Sequence, residues 1–389
     1  MKTRSAAPHP LLFAALGTLV FLNVYAPQSL LPVLAQEFDA GAAQIGFVVG
    51  ATTLAMALAS PLVGVLADAV GRRGVVIWAF ALLIVPAVLA VFAPTLATLN
   101  AARFAQGLLI PGVMVALNAL IAEEVPPAGR ARALTLYVTG TVLGGFLGRF
   151  LAGLVAVRWG WHAAFWLLAL ASLTGFFLAR AGLPAEKNFT PQRNVRGVLE
   201  NLSAHLQNPA LLATCAVGFL ILFTLVGLFN TLTLRLAAPP YLLNTAQTGL
   251  VFAVYLLGVV ITPIAGPLLA LRGPRIALLT AVGASVTGLL LTLSAPLPLI
   301  IVGVAAAACG VFLAQSAALG AVQREVTRAR SLASGLYHAA YYGGAAAASV
   351  LAGHAYEGGG WPSVVLLVTG SMALAGVVGL LGWRKTEAA

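Results

Sequence analysis

Apolar runs of about 20 residues recur along the chain from end to end, and each is long enough to cross a hydrocarbon core of about 30 Å. Inside lipid no water satisfies backbone N–H and C=O groups, so repeated spans of this kind fold as helices. Hydrophobic residues make up 61% of the 389 and charged residues only 8%. A soluble chain is roughly half apolar. The expected fold class is therefore an all-α polytopic membrane protein. The first apolar run reads as a retained helix, because further spans follow without pause and no small-residue cleavage site stands out.

Spans are expected near 11–35, 43–66, 74–94, 96–122, 132–157 and 162–182, then near 209–235, 246–271, 275–295, 298–322, 332–355 and 361–383. Several of these runs are fused by very short loops. Basic residues test the topology. With the N-terminus in the cytoplasm, all but four of the 21 lysines and arginines fall on the inner side. Arg158 and Arg235 stay near outer span ends, and Arg103 and Arg149 stay within the membrane. The net charge of +11 thus reads as a topology signal rather than a nucleic-acid footprint. Twelve spans with both ends in the cytoplasm, in the cytoplasmic (inner) membrane, are expected.

The segment 183–208 contains Pro184, Lys187, Asn188, Pro191 and Gln192, and reads as an exposed linker. Val195, Val198, Leu199, Leu202 and Leu206 then recur at helical spacing, which suggests a helix on the inner membrane surface. The halves are 1–182 and 209–389. They repeat each other. Gly64, Asp68, Gly71, Arg72 and Arg73 align, 202 residues on, with Gly266, Ala270, Gly273, Pro274 and Arg275. Independently, Glu124-Val125, Leu136-Tyr137 and Gly144-Gly145 align with Glu325-Val326, Leu336-Tyr337 and Gly343-Gly344. Cys215 and Cys309 lie inside apolar runs and read as small core residues rather than a disulfide or metal pair.

These residues resemble the major facilitator superfamily across essentially the whole chain. Gly64, Asp68, Gly71, Arg72 and Arg73 match its signature loop between spans 2 and 3. Leu99, Arg103, Gln106 and Gly107 in span 4 look like a motif of its twelve-span drug/proton antiporter branch. In span 5, Gly140, Gly144, Gly145, Gly148 and Gly153 resemble the glycine-rich antiporter motif, although the Gly-Pro pair of that motif is absent and Arg149 sits among the glycines. Arabinose-efflux-type permeases are similar in the same way. The resemblance implies twelve helices in two homologous six-helix halves, and alternating-access transport. It also implies that the Asp68 cluster fastens the halves together on the inner side.

An intramembrane arginine is a functional candidate by default. Arg103, Gln106, Arg149 and His338 are therefore candidates for the cavity or for coupling, the alternative for the arginines being capping of backbone carbonyls. A histidine titrates near physiological pH, but a hydrogen-bonded histidine near a helix end is equally in keeping with position 338. Asn23, Tyr25, Gln28, Asn118, Asn230, Tyr255 and Gln315 are substrate-path candidates. Gly144, Gly145, Gly148, Gly343 and Gly344 are read as packing surfaces between the halves. All ten acidic residues lie in loops or at span ends. No carboxylate sits mid-membrane to balance the arginines or carry a proton.

An intramembrane enzyme would need paired acids, a Ser/His pair or several metal ligands within the spans, and none is offered. A Walker phosphate loop is absent, so the chain alone does not pump with ATP. The leading expectation is proton-coupled efflux of drugs or metabolites by a monomer without cofactors, energised by the proton gradient. A facilitator or importer of an anionic solute, or a lipid flippase, is the alternative on the same fold.

Overall fold

The computed structural model describes residues 9–186, 195–326 and 330–383, with no strand among them. Lys2, Arg4, Lys187, Arg193, Arg328, Arg384 and Lys385, which entered the topology argument, lie outside the described residues. Among the described residues, ten helices are long and apolar enough to cross a membrane. Two of these, Pro127–Gly182 and Leu332–Gly382, are each long enough to cross twice. Each is broken near its middle, at Gly160 (φ 79°) and at Gly359-Gly360 (Gly360 φ 65°). The chain therefore makes twelve crossings.

Span 1 is Pro10–Glu37, span 2 Ala42–Val70, span 3 Arg72–Val91 and span 4 Leu96–Glu124. Spans 5 and 6 are 127–159 and 161–182. Val195–Leu206 is a separate linker helix. Span 7 is Pro209–Ala237, spans 8 and 9 are 245–272 and 274–291, and span 10 is Leu297–Glu325. Spans 11 and 12 are 330–358 and 361–382. The face of the bundle where span 1 begins and span 12 ends is termed the terminus side; the other is the far side.

The breaks repeat between the halves. Gly71 (φ 101°) and Gly273 (φ 74°) turn the chain between the second and third spans of their halves, and Gly160 and Gly360 between the fifth and sixth. A side chain at these angles would be strained. Trp161 and Trp361 follow the latter pair directly, a repeat that adds to those read from the charged loops.

Small residues bring the spans together. Gly140, Gly144 and Gly148 lie against the backbone of Ala14, Thr18 and Leu22 in span 1, and Gly344 lies against the Phe219 carbonyl in span 7. These contacts are within a half. The expectation that the glycines of spans 5 and 11 pack between halves is corrected for all but one. Gly145 alone of the five reaches across, against the Tyr255 ring, and Gly343 makes only ordinary contact with Phe219. The alignment of Gly144-Gly145 with Gly343-Gly344 is also one residue out. Gly144 corresponds to Gly344 by its contacts, as Gly153 does to Gly353 and Gly160 to Gly360. Adjacent glycines look alike as letters, and only their neighbours distinguish them.

The halves themselves meet through spans 2 and 11 and through spans 5 and 8. Gly46 and Gly50 of span 2 face Ser349 of span 11, and Gly353 lies on the backbone at Ala43. Across the bundle, Gly153 of span 5 meets the Thr245 carbonyl of span 8, while the Thr245 hydroxyl donates to the Gly153 carbonyl at 2.8 Å. Both contacts lie at the far side.

A methyl added at Gly344 would collide with the Phe219 carbonyl, whereas one at Gly266 meets nothing. Gly344→Ala is expected to lose about 1–3 kcal/mol, the usual range for overpacking, and Gly266→Ala nothing measurable. Thermal unfolding of the purified variants in detergent checks the contrast; equal melting temperatures would contradict it.

Candidate functional site

Span 1 fails to run as one helix. Its α-helical part ends at Tyr25, and Ala26–Leu30 forms a tighter 3-10 turn before the helix resumes. Pro27 is the cause, because it has no N–H to give the carbonyl of Asn23, four residues earlier. Arg103, in span 4, supplies the missing donors. Its guanidinium donates to the carbonyls of Asn23 at 3.0 Å and Val24 at 2.8 Å, and to the Gln106 side-chain oxygen at 2.5 Å. Its Nε donates to the Val48 carbonyl at 3.4 Å, and the side chain is fully buried. Of the two readings open from the sequence, Arg103 has the geometry of backbone capping. It lines no open path. Gln106 is equally buried, and its amide nitrogen has no partner among the described residues.

Arg149 is placed quite differently. It lies between the halves, also buried, under four aromatic rings. Tyr25 of span 1 lies 4.6 Å from the guanidinium carbon, Phe229 of span 7 at 5.5 Å, and Phe252 and Tyr255 of span 8 at 4.9 and 4.8 Å. Ring faces carry negative potential, and a desolvated cation gains about 2 kcal/mol from such a contact. The Arg149 Nε donates to Gln28 Oε1 at 2.5 Å and one Nη to the Gly145 carbonyl at 2.6 Å. The Arg149 carbonyl accepts the Ser29 hydroxyl at 2.7 Å.

From Gln28 a chain of hydrogen bonds crosses the molecule. Gln28 Nε2 donates to Asn230 Oδ1 at 2.7 Å, and Asn230 Nδ2 donates to Ser349 Oγ at 3.2 Å. Gln28 and Asn230 are equivalent by their contacts, since Gln28 bonds Arg149 as Asn230 bonds its counterpart Ser349. Two equivalent residues touch only near the axis relating the halves. The Gln28–Asn230 bond therefore marks that axis, and Arg149 and Ser349 are its equivalent outer arms. All four side chains are at most 2% exposed, so the far side is shut at this level. Ser349 carried no signal in the sequence. Its counterpart relation to Arg149 becomes visible only with the corrected register.

The other path candidates scatter. Asn23 bonds within span 1, to the Leu19 carbonyl, and accepts Ser172 Oγ at 3.4 Å. Asn118 is exposed and bonds to the Met114 carbonyl, and Gln315 is half-buried. Tyr255 packs edge-on against Phe312 of span 10 as well as over Arg149. His338 sits over the carbonyl of Ser334, one turn back in its own helix, at 2.7 Å, and stacks on Tyr342. That is the hydrogen-bonded arrangement weighed against a coupling role.

The Gly64–Arg73 loop is built at the terminus side. Arg72 Nη2 pairs with Asp68 and Glu123, both at 2.8 Å. A Cβ at Gly64 would lie 4.0 Å from Val115 in span 4. Glu186, at the start of the linker, accepts the backbone N–H groups of Arg72 and Arg73, so it caps the N-terminus of span 3. A Cβ at Gly71 would lie 2.5 Å from that carboxylate. Arg73 donates to the carbonyls of Leu183 and Arg180 at the end of span 6. In the second half Arg275 likewise donates to the carbonyl of Trp383 at the end of span 12. The retained arginine thus ties each loop to the last span of its own half, whereas the acid is kept only in the first copy. Glu186 was not marked by the sequence, where it reads as one more linker charge.

A family model described as Major Facilitator Superfamily matches residues 13–242 and again 229–389. The chain belongs to the major facilitator superfamily. Like other members it is a membrane-embedded transporter rather than an enzyme. The inner membrane transport protein YnfM of Escherichia coli (strain K12) is 33% identical over 383 residues, covering 97% of this chain and 90% of that protein. An uncharacterized transporter of Buchnera aphidicola subsp. Schizaphis graminum (strain Sg) is 30% identical, but over only 64% of this chain and 60% of that protein. Among solved structures, a point mutant of the nucleoside transporter NupG superimposes with a TM-score of 0.74 at 14% identity, covering 96% of this chain and all of that one. That likeness shows the superfamily fold.

Arg103→Met would leave the Asn23 and Val24 carbonyls buried without donors, each costing about 1–3 kcal/mol. A marked fall in melting temperature is expected. Pro27→Ala in the same background restores an N–H to the segment and should recover part of the loss. No recovery would show that Arg103 does something other than replace the proline's missing donor.

Proposed function

We propose that this carrier exports small organic anions from the cytoplasm by alternating access, with both chain ends on the cytoplasmic face of the inner membrane. The observation that supports it is the setting of Arg149. It is a full positive charge at the seam between the halves, held by rings and amides, in a chain with no acidic residue in the middle of any span. Tyr25 and Arg149 belong to one half, and Phe229, Phe252 and Tyr255 to the other. Opening at the far side withdraws the second set and leaves the cation to be neutralised. A carboxylate or sulfonate with a flat apolar body meets both needs: the charge pairs with the guanidinium and the body replaces the rings. The basic-residue asymmetry supports the orientation. An interior-negative potential drives an anion outward by about 2.3 kcal/mol per charge per 100 mV, so the membrane potential serves as energy source without a titrating group on the path.

Proton-coupled drug efflux is the second reading, favoured by the span 4 motif of Leu99, Arg103, Gln106 and Gly107. It requires a titrating side chain, for which His338 is the candidate. Proteoliposomes separate the two. Aromatic carboxylate flux is expected under a potassium diffusion potential without a pH gradient, to be lost in Arg149→Gln and partly kept in Arg149→Lys. Flux of cationic dyes that needs a pH gradient, survives Arg149→Gln and stops in His338→Ala would establish the second reading instead.

A further inference from the structure

The N-terminus of span 2 has only half a cap of its own: Gln44 Oε1 accepts the N–H of Gly41 at 3.2 Å, but no side chain within span 2 accepts the N–H groups of its first turn. The first turn of any helix has free N–H groups that a side chain of the preceding residue usually accepts. In span 8, the equivalent helix of the second half, Asn244 does this for the N–H of Gln247 at 2.9 Å. In span 2 the corresponding place is held by Gly41, which has no side chain. The acceptor comes from the other half of the molecule. Glu357, near the far-side end of span 11, takes the N–H of Ala43 at 3.0 Å and lies directly over Gly41. Its second oxygen faces His354 Nδ1 at 3.3 Å. Ser349, Gly353 and Glu357 are spaced four residues apart, so one stripe of span 11 lies along span 2 and ends in this carboxylate. At position 157, the equivalent place in span 5, the chain has an exposed valine.

We propose that Glu357 is the far-side latch of the transport cycle, a helix cap supplied by one half to the other. It stabilises the state in which spans 2 and 11 touch at the far side, both by hydrogen bonding and by placing a carboxylate at the positive end of the span 2 dipole. When the halves rock apart, span 2 loses its cap to water. The latch therefore biases the balance of states whatever the solute is, and it is independent of the anion reading above. Gly41 is required because any side chain there would occupy the position of the Glu357 carboxylate.

The experiment measures the far-side separation by pulsed electron resonance, with spin labels at the exposed positions Gln36 and Ala295. The two native cysteines are replaced by alanine. Glu357→Ala is expected to raise the open-to-closed ratio roughly two- to thirtyfold, the range that one cap spans, with Glu357→Gln in between. The deciding variant is Gly41→Asp combined with Glu357→Ala. Removal of Glu357 clears the space at position 41, and the backbone there (φ −67°, ψ 171°) suits an N-cap aspartate. This pair restores a cap within span 2 but not the bridge, so melting temperature should return toward wild type while the open fraction stays high. If the distances revert to wild type along with the stability, Glu357 is a local cap and the latch is refuted. Unchanged distances in Glu357→Ala refute it too. Should Glu357→Ala alone not fold, the combined variant carries the test.

Discussion

Within a bilayer each main-chain donor and acceptor needs a partner inside the protein, and the functional layout of this chain follows from how that demand is met where helices are interrupted. Pro27 breaks span 1 and Arg103 is spent on the carbonyls it frees. Gly71 turns the chain into span 3, and Glu186 closes over the N–H groups of that turn. Gly41 has no side chain for the first turn of span 2, and Glu357 supplies that acceptor from the other half. Three charged residues that look like chemistry are thus main-chain partners. Among the described residues two buried arginines then remain, Arg72, which pairs with Asp68 and Glu123, and Arg149, which is held by rings and amides.

That division was only partly legible in the sequence. The spans and their orientation signal, the fused loops, the two-fold repeat and the superfamily all follow from periodicity, basic residues and motif spacing. These are properties of many residues at once, so single errors wash out. The site depends on single residues. Arg103 and Arg149 lie at similar depth and look alike by position, yet one faces a broken helix and the other a ring of aromatics from the opposite half. Pro27 was a signal that could have separated them, since a proline inside span 1 predicts an orphan carbonyl. Glu357 had a weaker signal: Gly41 stands where the repeat has Asn244, and a first turn without an N-cap side chain implies a distant acceptor. Ser349 had none until the register was shifted by one.

The departures from symmetry carry more than the symmetry. Gln28 and Asn230 are both amides and meet at the axis, so the seam itself is nearly self-complementary. Their outer partners are Arg149 and Ser349, a charge on one arm and a hydroxyl on the other. Asp68 has Ala270 as its counterpart, and Asn244 has Gly41. A carrier with two identical halves would present a solute with two equal sites. Divergence at Arg149 and Ser349 gives one arm a charge and the other a hydroxyl, so the two arms of the same amide seam are chemically unlike.

A rocking carrier also needs its two closed states to lie close in free energy, since a gap of about 1.4 kcal/mol already shifts the ratio tenfold. The packing surfaces are poor regulators of that gap. Gly46, Gly50 and Gly353 bring backbones so near that any change is a collision rather than an adjustment. A carboxylate at the rim is different. Glu357 is partly exposed, and it caps span 2 through one hydrogen bond, with His354 at its other oxygen. A cap of this kind contributes about 1 kcal/mol, which matches the scale on which the cycle is balanced and is far below the cost of disrupting the glycine seams. The rigid small-residue contacts define where the halves meet, and the edge carboxylate sets how long they stay together.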